Sequence, residues 1–441
     1  MDKSTIFITS LLVSLILIFS IDYPMQGDES GYDILGWNIA QGRGFSVTQD
    51  KSFYPSMDRE PVYPFFLAFV YLMFGHWRLP VQLMQIILFL TTGIVTYLLA
   101  KELFGSRIAR YSFIGILFCP TLLSYPAFLY SEIMATLLVL LTLYYLTLAI
   151  KKENLIWYIL SGIFLGIAML CKSVLVLYGL LAAICIIFIK GYAKKKSFIY
   201  AFVFVFSFLL VIFPWMARNY RIFNKPSISL RGGKVLWMRA EKLDYSSGNI
   251  IKHLVFILSE SLGEKLYPDN KRGRTSDVYF EDSLRSDQYL LDLEKKGHNH
   301  SQIDNIFYQE AICKIMVHPL KYILQTPIEG FKMLSFIYLP ALNQPHIIDK
   351  LEKSGPLFQF SGIFIKGIMR FFSYSIFILS FIAMYLRRKQ YKDWILLAVI
   401  ILYINLIHSF LFGDGRYAVV IIPFYMIFAS VSVASLLKNE R

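Results

Sequence analysis

The chain has 441 residues, 56% of them hydrophobic and 17% charged, with a formal net charge of +14. A soluble domain carries about 25% charged residues, so this balance excludes an ordinary soluble globular protein and points to a polytopic helical membrane protein. The positive charge calls for no nucleic-acid partner: its clusters at Lys151-Lys152, Lys194-Lys195-Lys196, Arg387-Arg388-Lys389 and residues 438–441 each abut an apolar run, the pattern that orients membrane proteins.

Hydropathy predicts a first span over residues 4–21, with Lys3 on the cytoplasmic side. Asp22-Tyr23-Pro24 is not a small-residue cleavage site, so this run reads as an uncleaved span and not a signal peptide. A polar stretch, 22–79, follows on the outer side. Spans are then expected over 80–100, 108–124 and 131–150. Residues 154–190 are too long for one span of about 20 residues. A lysine at the bilayer centre costs about 2.5–3.5 kcal/mol on insertion scales, so two spans with Lys172 at their outer turn are expected. Gly162 and Gly166 carry the small-xxx-small spacing of close helix packing.

A seventh span is expected over 198–217, ending at Pro214-Trp215, and three more over 362–386, 393–412 and 416–437. Between them lies a polar segment, 218–360, within which 319–340 reads as an amphipathic surface segment. The expected domains are an N-terminal membrane module, 1–217, whose first outer loop (22–79) is catalytic; an extracytoplasmic segment, 218–360; and C-terminal spans, 361–441. The fold class is an all-α membrane bundle of about 10–12 spans with juxtamembrane helices and a mostly helical outer segment. Both termini are expected in the cytoplasm, in a plasma (inner) membrane.

This topology brings scattered polar residues to one membrane face: Asp28, Glu29, Arg59, Glu60, Glu132, Lys172, Arg218, Asp414 and Arg416. Neighbours on a helix point about 100° apart, so Asp28 and Glu29 are read as two roles and not as a dyad sharing a proton. A short surface helix follows them, with Tyr32, Leu35, Gly36, Ile39 and Ala40 on one face, Asp33 and Asn38 elsewhere, and Gly42-Arg43-Gly44 as its stop. The plainer reading makes Asp28, Glu29 and Glu132 ordinary acids at helix N-termini, favoured by the dipole, and Arg218 and Arg416 snorkelling arginines. His298 and His300 lack further metal-ligand spacing, and the sequence holds no Walker A, dinucleotide or zinc-cysteine pattern.

Six stretches, "GDESGYDILGWNIAQGRGF", "REPVYPFFLAF", "LYSEIMATLLVLL", "SGIFLGIAMLCKSVLVL", "PWMARNYRIF" and "GRYAVVIIPFYMIFA", occur in an order that resembles the GT-C superfamily of glycosyltransferases. The closer likeness is to glycosyltransferase family 39, near the bacterial protein O-mannosyltransferases and lipid A aminoarabinose transferases. That resemblance implies inverting transfer of a hexosyl or pentosyl group from a polyprenyl-phosphate donor to a glycan, lipid or protein hydroxyl. It makes Asp28 the general base, assisted by Glu29 and Glu132. It assigns Arg59, Lys172, Arg218 and Arg416 to the donor phosphate, and Glu60 to a divalent metal ion. The chain reads Arg59-Glu60-Pro61 where the aminoarabinose branch has the acid before the base. The rival reading is a transporter or flippase of lipid-linked sugars; it predicts ionisable residues at mid-membrane and paired repeats, whereas the acids here fall in outer loops.

Overall fold

Inside lipid every backbone N–H needs a partner within the chain, so a long apolar run becomes a helix. The computed structural model describes residues 3–20, 25, 27–48, 54–191, 194–244, 251, 255, 266, 275–333 and 356–437. Expectations that fall on 21–24, 334–340 and 438–441 lie outside the described residues. Those described are almost all helical, with a lone β-bridge between Ser46 and Pro55.

The helices are α1 (Lys3–Ser20), α2 (Asp28–Ala40), α3 (Val62–Phe74), α4 (Arg78–Phe104), α5 (Ser106–Leu117), α6 (Pro120–Ser124), α7 (Glu132–Lys152), α8 (Leu155–Met169), α9 (Val176–Lys190), α10 (Lys195–Phe223) and α11 (Gly232–Glu241). They continue with α12 (Thr275–Lys295), α13 (His300–Val317), α14 (Pro319–Met333), α15 (Pro356–Leu386), α16 (Tyr391–Phe410) and α17 (Ile422–Leu436). Among the described residues, seven helical stretches are long and apolar enough to cross a membrane, eight if the bent pair Ser106–Leu117 and Pro120–Ala127 is one span. Three further apolar helices, Ser4–Ser20, Val62–Phe74 and Leu155–Met169, are shorter than that.

Two span boundaries differ from hydropathy. The span expected over 108–124 is bent by 47°. Pro120 begins a new helix there, because proline lacks the N–H that would continue the old one. The span expected to end at Pro214-Trp215 runs on to Phe223, where Asn224 takes a left-handed φ of 54°. Proline is tolerated inside a membrane helix when neighbours re-satisfy the freed carbonyl.

Gly162 and Gly166 do what their spacing predicts. A Cβ on Gly162 would sit 2.5 Å from the Phe204 carbonyl, and one on Gly166 would sit 2.6 Å from Val211 Cβ. These glycines let α8 seat against α10. Lys172 lies in the turn between α8 and α9. The helix α14 is inside-out: Leu320, Ile323 and Leu324 are exposed while Gln325, Glu329 and Lys332 are buried. Its apolar face suits lipid, and its polar face packs toward α16 and the turn after it.

Candidate functional site: a charge network at the helix ends

Asp28 opens α2 directly after Gly27, whose φ of 57° suits glycine. Two glycines then seat the helix: a Cβ on Gly31 would lie 3.3 Å from the Arg59 guanidinium, and one on Gly36 would lie 2.6 Å from Leu67 Cβ on α3. The helix is covered on more than the one face expected. Asp33 and Asn38 are buried with Tyr32, Leu35 and Gly36. Their polar atoms explain this: Asp33 accepts from the Tyr71 hydroxyl at 2.5 Å and faces His76 at 2.9 Å, while Asn38 donates to the carbonyls of Ser46 and Thr48.

On the Arg59 side, three arginines converge on the Asp28 carboxylate. Arg59 Nη1 lies 2.6 Å from Oδ1, Arg231 Nη2 lies 3.5 Å from Oδ1, and Arg416 Nη2 lies 2.5 Å from Oδ2. Arg416 Nε also reaches Glu132 Oε1 at 2.7 Å, and that same oxygen accepts from Lys172 Nζ at 2.9 Å. Every member stands at or beside a helix terminus. Asp28 and Glu132 begin α2 and α7, Arg59 precedes α3, Lys172 follows α8, and Arg231 precedes α11. Arg416 lies in the 3-10 turn Gly415–Ile421, which leads into α17.

Aromatic rings wall the network. Arg59 stacks over Tyr32 with its guanidinium carbon 5.0 Å from the ring centre, and Arg416 stacks over Tyr130 at 4.8 Å. The Tyr32 hydroxyl lies 3.3 Å from Ser131 Oγ, beside Glu132.

Electrostatics follow from this crowding. Burial pushes the Asp28 carboxyl up, but Arg59, Arg416 and Arg231 outweigh it and hold it well below the ordinary carboxylate value. Burial pulls the Lys172 ammonium down, and Glu132 with Tyr32 more than reverses the pull. Four cations, Arg59, Arg231, Arg416 and Lys172, face two carboxylates, Asp28 and Glu132, leaving an excess of two positive charges. The Asp28 side chain keeps 19% of its surface exposed and Arg231 keeps 38%, against 1% for Glu132. The network is therefore open at its Asp28–Arg231 edge.

Comparison with known proteins identifies the scaffold. Archaeal oligosaccharyltransferase AglB from Archaeoglobus fulgidus, solved with an inhibitory peptide and a dolichol-phosphate, superimposes with a TM-score of 0.55 at 13% identity, covering 99% of this chain and 50% of that one. The fold is that of the GT-C glycosyltransferases. Residues 58–217 match the family described as dolichyl-phosphate-mannose-protein mannosyltransferase, which agrees with that superfamily. The AglB structure with Zn and sulfate matches with a TM-score of 0.53 at 13% identity, covering 99% and 49% of the two chains. ArnT from Cupriavidus metallidurans in the apo state matches with a TM-score of 0.42 at 15% identity, covering 97% and 76%. No curated protein sequence matches. The chain spans about half the length of the archaeal structures it resembles.

On this GT-C scaffold, five of the residues singled out from the sequence meet in one network: Asp28, Arg59, Glu132, Lys172 and Arg416. Glu29, Arg218 and Glu60 lie outside it. Glu29 is fully buried, and its Oε1 accepts the Leu129 N–H at 2.8 Å, tying α2 to the chain ahead of α7. Arg218 donates to the Ser56 carbonyl at 2.9 Å and stacks over Trp215 at 4.7 Å, next to Met57, whose carbonyl accepts from Leu230 N–H. It thus steadies the segments that present Arg59 and Arg231.

Glu60 turns away from its neighbour Arg59. Its Oε1 accepts from Ser173 N at 3.1 Å, from Ser173 Oγ at 2.6 Å and from Ser229 Oγ at 3.3 Å. Among the described residues, no three His, Cys, Asp or Glu side chains gather in a metal-sized set. The carboxylate at Asp28 is ringed by guanidinium groups, which repel a dication. In this arrangement Glu60 ties the turn between α8 and α9 to Ser229.

Sequence reasoning missed Arg231. Its signal was slight: a lone basic residue ahead of Gly232-Gly233, outside every quoted stretch. It also missed a cavity of about 260 Å³ lined by Asp33, Trp37, Asn38, Arg43 and His76.

Proposed function

We propose that the chain is an inverting glycosyltransferase that moves a sugar from a polyprenyl-phosphate donor to a hydroxyl acceptor at the extracytoplasmic face of the membrane. The observation that carries this reading is the Asp28 network: a carboxylate beside an excess of two positive charges, open at one edge. A polyprenyl phosphate released as a dianion would match that excess. The archaeal relative was solved with a dolichol-phosphate, the same class of lipid phosphate. The apolar side chains exposed along α3, Phe65, Phe69, Leu72 and Met73, are suited to the prenyl chain.

In this reading the acceptor hydroxyl gives its proton to the Asp28 carboxylate as its oxygen bonds to the anomeric carbon. The bond from that carbon to the phosphate oxygen breaks, and its electron pair leaves on the phosphate. Attack from the face opposite the phosphate inverts the anomeric centre. Arg231 and Arg416, with Arg59, stabilise the charge that develops on the leaving group. Three arginines make Asp28 a weak base in the unliganded protein. A donor phosphate competes for them and returns basicity to the carboxylate, so proton removal is coupled to donor binding. Glu132 positions Arg416 and Lys172 side by side.

Purified protein given a polyprenyl-phosphate sugar and the cognate acceptor should release polyprenyl phosphate, and Asp28→Asn should stop the release. Full turnover by Asp28→Asn would overturn the base assignment. Comparing envelope glycans and lipid-linked sugars with and without the gene would name the sugar and the acceptor.

A further inference from the structure

A second buried charge cluster lies behind the network. Glu329 on α14, Lys332 one turn along, and Lys242 just past the end of α11 are each almost fully buried. Glu329 Oε1 accepts from Lys332 Nζ at 2.8 Å and from Lys242 Nζ at 3.1 Å, and its Oε2 accepts the Gly413 N–H at 3.1 Å. Burying three ionisable groups is costly, and well-packed apolar residues of similar volume often serve stability as well or better. The cluster therefore suggests a geometric role.

Its contacts indicate which geometry. The backbone of α14 lies directly on the chain that leads to Arg416: a Cβ on Gly413 would sit 2.1 Å from the Glu329 carbonyl oxygen, and one on Gly330 would sit 2.5 Å from Ser409 Oγ. From Gly413 the chain passes to Asp414, whose side chain accepts the Arg416 N–H at 2.9 Å and starts the 3-10 turn. Arg416 then reaches Asp28 and Glu132. The other arm is α11: Arg231 stands at its start, against Asp28, and Lys242 follows its end, against Glu329. At 1.5 Å per residue, one short helix spans from the brace to the site.

We propose that Glu329, held between Lys242 and Lys332, is a positioning residue that fixes the Gly413–Arg416 turn and the α11 helix, and so sets the reach of Arg416 and Arg231 toward the donor phosphate. The phosphate part rests on the function proposed above.

The test uses full-length protein in lipid nanodiscs, with undecaprenyl phosphate as the probe. The triple variant Lys242→Met/Glu329→Leu/Lys332→Met removes all three ionisable groups at similar volume, so thermal unfolding should stay unchanged or rise. Amide exchange at 413–416 should nevertheless accelerate at least about tenfold, because the Gly413 acceptor is gone. Undecaprenyl phosphate should bind about tenfold more weakly, and the triple variant should add nothing once Arg231→Ala and Arg416→Ala are both present. Glu329→Gln, which keeps an acceptor for Gly413, should retain slow exchange there. Unchanged exchange in the triple variant, or a loss of affinity that adds fully to that of the Arg231→Ala/Arg416→Ala pair, would overturn the proposal. Should the wild type fail to bind undecaprenyl phosphate, the donor reading falls, and the exchange measurements alone decide the brace.

Discussion

Arg416 meets Asp28 at 2.5 Å across 388 residues of sequence. The same guanidinium reaches Glu132 through Nε at 2.7 Å, so one side chain near the end of the chain ties together the first residues of α2 and α7. Because Arg416 is shared, removing either acid changes what the arginine offers to a phosphate.

Asp28→Asn separates binding from chemistry. It removes one negative charge from a network already in positive excess, so undecaprenyl phosphate should bind more tightly, by about tenfold if the change is worth about 1.4 kcal/mol. Sugar transfer should fall by about 10²–10⁴, the range of a lost general base. Paired binding and turnover assays on one preparation check this; weaker phosphate binding in the variant contradicts the assignment of the arginines.

The depressed Asp28 carboxyl has a consequence in acid. The arginines hold it below the ordinary value of 3.8, so its contribution to stability is complete above that value and is lost as pH falls through the lower, folded one. Wild-type protein should lose thermal stability on acidification below about pH 4 more steeply than Asp28→Asn. Parallel slopes for the two proteins would show that Asp28 is not held in this way.

Lys332 behaves in the opposite sense. Burial pulls its ammonium down, Glu329 supports it and Lys242 opposes it, and the balance leaves it at about 7 instead of 10.5. Between those values the unfolded chain holds a proton that the folded chain has released, so stability from this group rises as pH climbs through the window. Melting temperatures of wild type and Lys332→Met, compared from pH 6.5 to about 9.5, should diverge in favour of the wild type's slope. A constant offset across the range counts against a neutral Lys332.

Chelation should leave lipid-phosphate binding intact. The cations at the site are side chains, and Glu60 is occupied by Ser173 and Ser229. Undecaprenyl phosphate affinity measured with excess EDTA should equal that in buffer; a loss restored by added divalent metal would show that a metal takes part in holding the phosphate.

Close packing of α8 on α10 gives a stability prediction. Gly162→Leu drives a side chain into the Phe204 carbonyl and Ser207, and overpacking of this kind costs about 1–3 kcal/mol or more. Thermal unfolding in detergent should show the loss, whereas Ile184→Ala, on a side chain 61% exposed, should leave the transition nearly unmoved.

The sequence by itself determined that this is a membrane bundle, about where its helices run, and that Lys172 belongs in a turn. Apolar runs of span length have one economical state in lipid, and a lysine is excluded from the middle of it. The order of its motifs also determined which acids and bases to watch, and Asp28, Arg59, Glu132, Lys172 and Arg416 did converge. Only the tertiary structure decided the pairings: that Arg416 is shared by two acids, that Arg231 joins them, that Glu29 and Glu60 turn into backbone and hydroxyl contacts, and that Glu329 braces the turn leading to Arg416. Hydropathy and helical period are local quantities, legible within a window of residues. An ion pair between positions hundreds of residues apart leaves no local mark, because its partner is chosen by how the helices pack.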